Sequence, residues 1–444
     1  MKVKPLILFL CLPLAALAQL AIHDVTVINP RSGEVLRNVT VLVEGDRITR
    51  VGAAIDIPRR FKHVNGSRRY LMPGLWDCHV HLTKAGVESF PLFLANGVTS
   101  VRDMGSDPNE ILAWRREIES GKLLGPRIKF SGRILESKAN VDRMKREGGV
   151  EPVDRIRYPI ANPEEARNAV AEQKRIGVDH LKVRSVADLE TLKAFADAAD
   201  NAGLKLTGHA LAAPKEIIGK MQSVEHVIAY PPLDQMDEAE RRQLFRDMSI
   251  AGTYMSTTWV NIDGSVLVNY ERARALIEDT KGKLDPRRRY IKGYLLSDWK
   301  EQVEEKKDPE QAKMEGVLRA QLPSFVRDFR QMKEEGVHFL AGSDTAVTLI
   351  YPGFSMHEEL EIYVKQFGFS PMEALRVATH NPAEFYGIEA AQGAILNGQV
   401  ADMVLLDRNP LDDIRNTRSI RAVISRGRLL NRSKLNKMLR AVRQ

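Results

Sequence analysis

Apolar and polar residues alternate at both ends of the chain. Near the start, "LAIHDVTVINP" and "NVTVLVEGDRITRVG" carry this two-residue period, with turns at Asn29-Pro30 and Gly45-Asp46. Near the end, "GAILNGQVADMVLLDRNP" and "RAVISRGRLL" do the same. Such runs bounded by turn residues predict short β-strands. The simplest arrangement is a small composite β-sandwich domain made from residues 19–71 and 387–430, with a large segment inserted between its halves.

Between these ends, over residues 72–386, the pattern changes to a strand-then-helix rhythm. Strands are predicted at "WDCHVHL", "GVTSVRDM", "RIKFSGR", "HLKVRS", "LKLTGHA", "SVEHVIA", "TYMSTT" and "HFLAGSD". Helices follow at "PNEILAWRREIESG", "NPEEARNAVAEQKRIG" and "DLETLKAFADAADNAG". The first two start behind Asp107-Pro108 and Asn162-Pro163, and the last two finish at glycine, which are ordinary helix start and stop signals. Eight strands in this rhythm predict an α/β fold, a (β/α)8 TIM-type barrel with reactive residues at the C-terminal strand ends. Residues from about 261 to 336 interrupt the rhythm with a long, highly charged stretch, read as a helical insertion between the seventh and eighth strands. It would leave the catalytic face, either as a lid or as a solvated hairpin.

Composition adds limits. A chain of 444 residues with 43% hydrophobic and 28% charged positions can bury a large core and is not a disordered type. Lys2 and Lys4 precede "PLILFLCLPLAALA", and Ala16-Leu17-Ala18 fits a small-residue cleavage site. Residues 1–18 are therefore expected to be a signal peptide, which places the protein in the periplasm or outside the cell. No other run reaches transmembrane length, so no membrane span is expected after cleavage. Cys78 would then be the only cysteine, excluding an intramolecular disulfide, and it reads as a buried hydrophobe. The net charge of +8 becomes +6 without Lys2 and Lys4. From Arg426 to Arg443 there are seven basic residues and no acid, and the tail 431–444 reads as a solvated basic helix. No nucleic-acid motif is present, and no nucleic-acid partner is expected.

The chemistry concentrates on strand ends. In "LMPGLWDCHVHL", His79 and His81 are two residues apart and share one face of a strand. Lys182 in "DHLKVRS", His209 in "LKLTGHA", His226 in "SVEHVIA" and Asp344 in "FLAGSDT" lie near the ends of further strands. Imidazoles and a carboxylate suit Zn²⁺ or a similar divalent ion. A lysine ammonium among cations would be repelled, so an amine that has gained a carboxyl group fits this company better.

These motifs, with the closing "ALRVATHNPAEFYGI", resemble the amidohydrolase superfamily, and within it the imidazolonepropionase-like and metal-dependent prolidase-like branch. The resemblance runs from about Val25 to Arg428. It implies two divalent metal ions, zinc by expectation. His79, His81 and Asp344 would hold the more buried ion, His209 and His226 the more exposed one. Lys182, carboxylated with CO2, would bridge them. It further implies a bridging hydroxide as nucleophile and Asp344 as the catalytic general base and acid. Arg102 and Asp103 in "SVRDMG" match a family segment near the site, read as structural support. Tyr230, Tyr254 and His357 are candidate substrate contacts.

One stretch departs from the prolidase-like pattern. A glycine-rich segment with a histidine is expected after the third strand, whereas the chain reads "FSGRILESKANVDRMKREGGV". Arg133, Lys138 and Arg143 there could recognise an anionic group or face solvent. The resulting expectation is an exported metal-dependent hydrolase that cleaves the amide C–N bond of a small dipeptide, N-acyl amino acid or cyclic amide. Its competitors are a mononuclear cyclic amidohydrolase or deaminase with a structural Lys182, and a non-catalytic binding protein on a retained barrel. A homo-oligomer is compatible with either enzyme.

Overall fold

A computed structural model describes residues 19–209, 218–226 and 233–443. The expected signal peptide and Tyr230 lie outside the described residues. Five strands open the chain: β1 (Gln19–Asn29), β2 (Glu34–Glu44), β3 (Arg47–Gly52), β4 (Lys62–Asn65) and β5 (Tyr70–Pro73). Three more close it: β16 (Met403–Leu406), β17 (Ile420–Ser425) and β18 (Arg428–Asn431). Together they form one eight-stranded sheet in the order β18-β17-β16-β5-β1-β2-β3, with β4 beside β1. β5 is the joint, because it pairs parallel to β1 and antiparallel to β16. The alternating residues read from the sequence supply the sheet's buried face, including Ile22, Val27, Val41, Val43, Leu71, Met403, Leu405 and Ile424.

The central strands are β6 (Leu75–Val80), β7 (Val98–Asp103), β8 (Arg127–Phe130), β9 (Ile134–Ser137), β10 (Arg157–Ile160), β11 (His180–Val183), β12 (Lys205–Gly208), β13 (Ser223–Glu225), β14 (Tyr254–Ser256) and β15 (His338–Phe339). Each of the eight predicted runs holds one of them; β9 and β10 are additional. All pair in parallel, as two sheets: β6-β7-β8, and β10-β9-β11-β12-β13-β14-β15. The expected single ring is thus drawn as sheets of three and seven strands. β9 is the physical reason on one side. It pairs with β11 through Leu135 and Val183, and β8 reaches that region by a main-chain bond, Asp179 N–H to the Phe130 carbonyl at 2.9 Å, and by Phe130 N–H and Lys129 donating to the Asp179 carboxylate. On the other side Cys78 N–H donates to the Ala341 carbonyl at 2.8 Å, and Val80 bridges Thr345 in parallel.

Helices follow their signals. Asp107 accepts from Asn109 N–H ahead of Pro108–Glu119, and Asn162 accepts from Glu164 and Glu165 N–H ahead of Pro163–Ile176. The latter helix stops at Gly177 with φ 86°, a left-handed end that glycine adopts without steric cost. Between β14 and β15 the chain is largely helical: Trp259–Asn261, a π-helical turn at Ile262–Val266, Tyr270–Glu278, Gly293–Glu305 and Pro309–Glu334. Ile277, Ile291, Leu295 and Trp299 of this region share a separate core with Ala85 and with Leu349 and Tyr351 of the segment after β15. A last helix, Arg432–Val442, buries Leu435 and Val442. Among the described residues, no helix is long and apolar enough to cross a membrane.

Candidate metal centre and active site

The site is built where β6 meets the loop after β15. Asp344 N–H donates to the His79 carbonyl at 2.8 Å, fixing that loop against the strand. Gly342 makes the approach possible, since a Cβ there would lie 2.7 Å from the His79 Cβ and 2.9 Å from its backbone nitrogen. Asp344 Oδ1 then stands 3.6 Å from His79 Nε2 and 3.5 Å from His81 Nε2. Candidate ligand atoms of His79, His81 and Asp344 lie within 4.8 Å of one another. His226 Nδ1 is 3.7 Å from Asp344 Oδ2. The His226 ring centroid is 4.5 Å from that of His79 and 5.0 Å from that of His209. Lys182 is buried and faces the same cavity, of about 590 Å³, with His81, His209, His226, Asn261 and Asp344. The structure therefore brings all six proposed ligands together.

Two atoms in this cluster are conspicuous for what they lack. His79 Nε2 and Lys182 Nζ are both buried and, among the described residues, neither has a hydrogen-bond partner. Orphaned buried polar atoms are costly and uncommon, which fits atoms reserved for a ligand. Burial, reinforced by Lys182, holds the His79 imidazole well below its ordinary range. Burial likewise lowers His209 well below that range and His226 to about 4. Neutral imidazoles are the form that ligates metal. Burial opposes ionisation of Asp344, yet His226, His79 and His81 hold its carboxyl well below the usual range. For Lys182, burial brings the amine down to about 8, with Glu225 and Asp344 pulling the other way. The donor set fits divalent cations.

A polar frame orients these groups, and most of it was not singled out from the sequence. Glu225 Oε2 is 2.9 Å from His79 Nδ1 and accepts from Arg102 Nη2 at 2.8 Å. The ring proton is thereby assigned to Nδ1, which turns the Nε2 lone pair toward Asp344. Arg102 also donates to Ser223 Oγ at 2.9 Å, so it acts as the support expected of it. His81 Nδ1 faces the Gly105 carbonyl at 3.2 Å, and His226 Nδ1 faces Thr258 Oγ1 at 2.7 Å. Asn261 Nδ2 donates to Asp344 Oδ2 at 2.8 Å. Behind Thr258 and Asn261, the buried Glu359 accepts from Thr257 Oγ1, Trp259 N–H and Val260 N–H. His226, Thr258 and Asp344 have left-handed backbones, with φ of 67°, 44° and 64°.

The cavity wall carries an alternating ladder of ions. Arg184 Nη1 meets Glu136 at 3.2 Å, and Glu136 also takes Arg157 at 2.7 Å. Arg157 pairs with Glu151. Lys84 links Glu151 at 2.9 Å to Asp298 at 3.2 Å, on the helix Gly293–Glu305. This joins the helical region after β14 to the strand ends that bear the site.

Other sequence candidates fall elsewhere. Tyr254 opens its strand, so its hydroxyl points away from the cavity and donates to Glu384 Oε2 at 3.3 Å. His357 is buried against Thr417 Oγ1 at 2.9 Å, on the side of its helix facing the C-terminal segment. Neither lines the cavity. In the departing stretch, Arg143 lines the cavity while pairing with Glu147. Arg133 pairs with Glu172 and Lys138 with Asp142, outside that lining. Cys78 is buried and free, as a small hydrophobe would be.

Comparison with known proteins extends the picture. The family described as "Amidohydrolase family" matches residues 70–430. An ochratoxinase from Aspergillus niger is 26% identical over 431 residues, spanning 87% of this chain and 81% of that protein. The crystal structure of A. niger ochratoxinase has a TM-score of 0.68 at 22% identity, covering 94% of this chain and 96% of that one. A Xaa-Pro dipeptidase structure with methionine bound in its active site has a TM-score of 0.67 at 23% identity, covering 93% of this chain and 100% of that one. An imidazolonepropionase from Aromatoleum aromaticum is 31% identical over 114 residues, 24% of this chain and 28% of that protein. The structural likenesses show a shared fold.

Proposed function

This chain belongs to the amidohydrolase family, and on that premise we propose that it is an exported, metal-dependent hydrolase acting on the amide C–N bond of a dipeptide, N-acyl amino acid or cyclic amide. The dipeptidase among its structural relatives favours a peptide-like amide. In this reading the parallel sheets are walls of one (β/α)8 barrel, and residues 1–18 direct export. His79, His81 and Asp344 would hold one divalent ion and His209 with His226 a second, with zinc the expected metal. Such ions supply Lewis acidity and acidify water.

The protein's own groups do the rest. Glu225 keeps His79 in one tautomer and Asn261 fixes the Asp344 carboxylate. Asp344 accepts a proton from the attacking water as the C–O bond forms, and returns it to the amine nitrogen as the C–N bond breaks. Lys182 adds CO2 through its neutral amine, releasing a proton and becoming a carboxylate that suits the imidazole cluster. The observation that carries this reading is the pair of atoms without a hydrogen-bond partner among the described residues, Lys182 Nζ in the cavity and His79 Nε2 buried 3.6 Å from Asp344 Oδ1, which lines it.

A second reading has an observation in its favour. The tightest cluster is His79, His81 and Asp344 alone, enough for one ion, with Lys182 structural. Elemental analysis and a hydrolysis screen over dipeptides, N-acyl amino acids and cyclic amides separate the two. The bridged centre predicts close to two metal equivalents and loss of both metal and turnover in Lys182→Ala. One equivalent with an active Lys182→Ala protein would select the mononuclear enzyme. No turnover and no metal would remove both.

A further inference from the structure

Far along the chain from the catalytic residues, an open groove of about 600 Å³ runs between the C-terminal helix and the beginning of β1. Its apolar lining comes from Leu20, Leu124, Leu429, Leu430 and Met438. Leu124 is 40% exposed, an uncommon position for a leucine beside a solvated helix. The remaining long side chains at the groove are Lys62, Arg428, Lys434 and Lys437, and no acid lines it. Elsewhere this protein pairs its surface charges extensively, as in Arg242 with Glu334 and Arg143 with Glu147. Here, among the described residues, none of these four cations has a carboxylate within ion-pair distance. The excess continues along the helix, because Arg426 to Arg443 holds no acid at all.

A second observation lies next to it. The segments around residues 118–128 and 426–430 contribute to the groove and also to a smaller cleft of about 150 Å³, where Arg115, Arg127 and Arg426 converge. Among the described residues, Arg426 Nε is buried there without a hydrogen-bond acceptor. Arg115 is paired with Asp179, Arg127 with Asp402 and, at 3.7 Å, with Asp46, and Glu119 stands at the cleft, whereas Arg426 has no ion pair within the described residues. An unpaired guanidinium beside an apolar groove ringed by unpaired cations calls for oxyanions attached to hydrocarbon. A protein surface would need matching acids in a fixed pattern; an anionic lipid leaflet supplies phosphates that adjust to whatever spacing the cations have.

We propose that the face formed by this groove, the arginine cleft and the helix Arg432–Val442 docks the protein on membranes rich in anionic phospholipid. The apolar groove accepts acyl-chain or glycerol-level hydrocarbon, and the cations pair with headgroup phosphates. Nothing crosses the bilayer.

Co-sedimentation of the processed, metal-loaded protein with vesicles tests this. Phosphatidylcholine vesicles are compared with vesicles also containing phosphatidylglycerol. Binding is expected only to the latter, weakening as salt rises. Lys434→Glu with Lys437→Glu is expected to lower partitioning by about tenfold or more, at about one kcal/mol per basic residue near an anionic surface. Met438→Ser should weaken binding while leaving its salt dependence intact. These residues are exposed or half-buried, and circular dichroism melts should match the wild type; Arg428→Glu is a second charge variant if they do not. Turnover of a soluble amide should be unchanged throughout. Equal binding to both vesicle types, or no loss on charge reversal, would overturn the proposal. So would capture of inorganic phosphate without vesicle binding, or a wild-type dimer that the charge variants dissociate.

Discussion

Glu225 is buried, does not line the cavity of the site, and yet holds Arg102 and His79 together. Burial alone would push its carboxyl up; the Arg102 guanidinium holds it well below the usual range. Glu225→Gln keeps the shape but frees the His79 tautomer, and metal affinity measured by equilibrium dialysis should fall about 10- to 100-fold. Asn261→Ala removes only the donor to Asp344 Oδ2. It should lower kcat by about tenfold, with metal content and KM for an amide substrate nearly unchanged. The ligand-type residues were legible because histidine, lysine and aspartate are unusual at apolar strand ends. Their partners were not, since Glu225, Thr258 and Asn261 look like ordinary polar residues until the fold brings β13 and the segment after β14 to the same ring. One signal was available: Glu225 is an acid in an otherwise uncharged strand, next to His226.

At the level of elements, Glu359 shows how a helix positions a loop it does not belong to. From the helix Phe354–Lys365 it accepts two main-chain N–H groups at the start of the next region, Trp259 and Val260, and the Thr257 hydroxyl. Burial raises its carboxyl to about 7. Glu359→Ala strands those donors, and at about 1–3 kcal/mol for each buried group the melting temperature should drop by several degrees or more. Glu359→Gln retains an acceptor and should recover most of the loss in the same thermal scan. The eight strands bearing the site were readable from apolar runs bounded by turns. β9 and β10 escaped because four residues each, with Glu136 and Arg157 turned inward as an ion pair, give no apolar period to detect.

Across the molecule, the ladder Arg184–Glu136–Arg157–Glu151–Lys84–Asp298 ties strand ends to the helical region after β14. Its members come from distant positions, so no local pattern announced it. Glu151 gives the ladder a pH signature. Burial would raise its carboxyl, but Arg157 and Lys84 bring it to about 2. A group depressed from an ordinary value near 4.5 stabilises the fold fully above about pH 4.5, and that contribution is lost as pH falls toward 2. The shift corresponds to about 3 kcal/mol at most. Urea titrations at pH 7 and pH 3 should show a larger loss of stability on acidification for the wild type than for Glu151→Gln. Equal losses would mean the ladder contributes nothing to acid tolerance.

The left-handed backbones at His226, Thr258 and Asp344 have a consequence for how this protein can change over time. Each such conformation costs a residue other than glycine of the order of 1 kcal/mol or more, and a β-branched threonine suffers most. Glycine or asparagine at these positions would relieve the backbone and raise the melting temperature. It would also delete a proposed ligand, the hydrogen-bond partner of one, or the proposed proton carrier. Selection for stability and selection for turnover therefore pull these three codons in opposite directions, and a lineage that lost its substrate should drift toward glycine or asparagine there first.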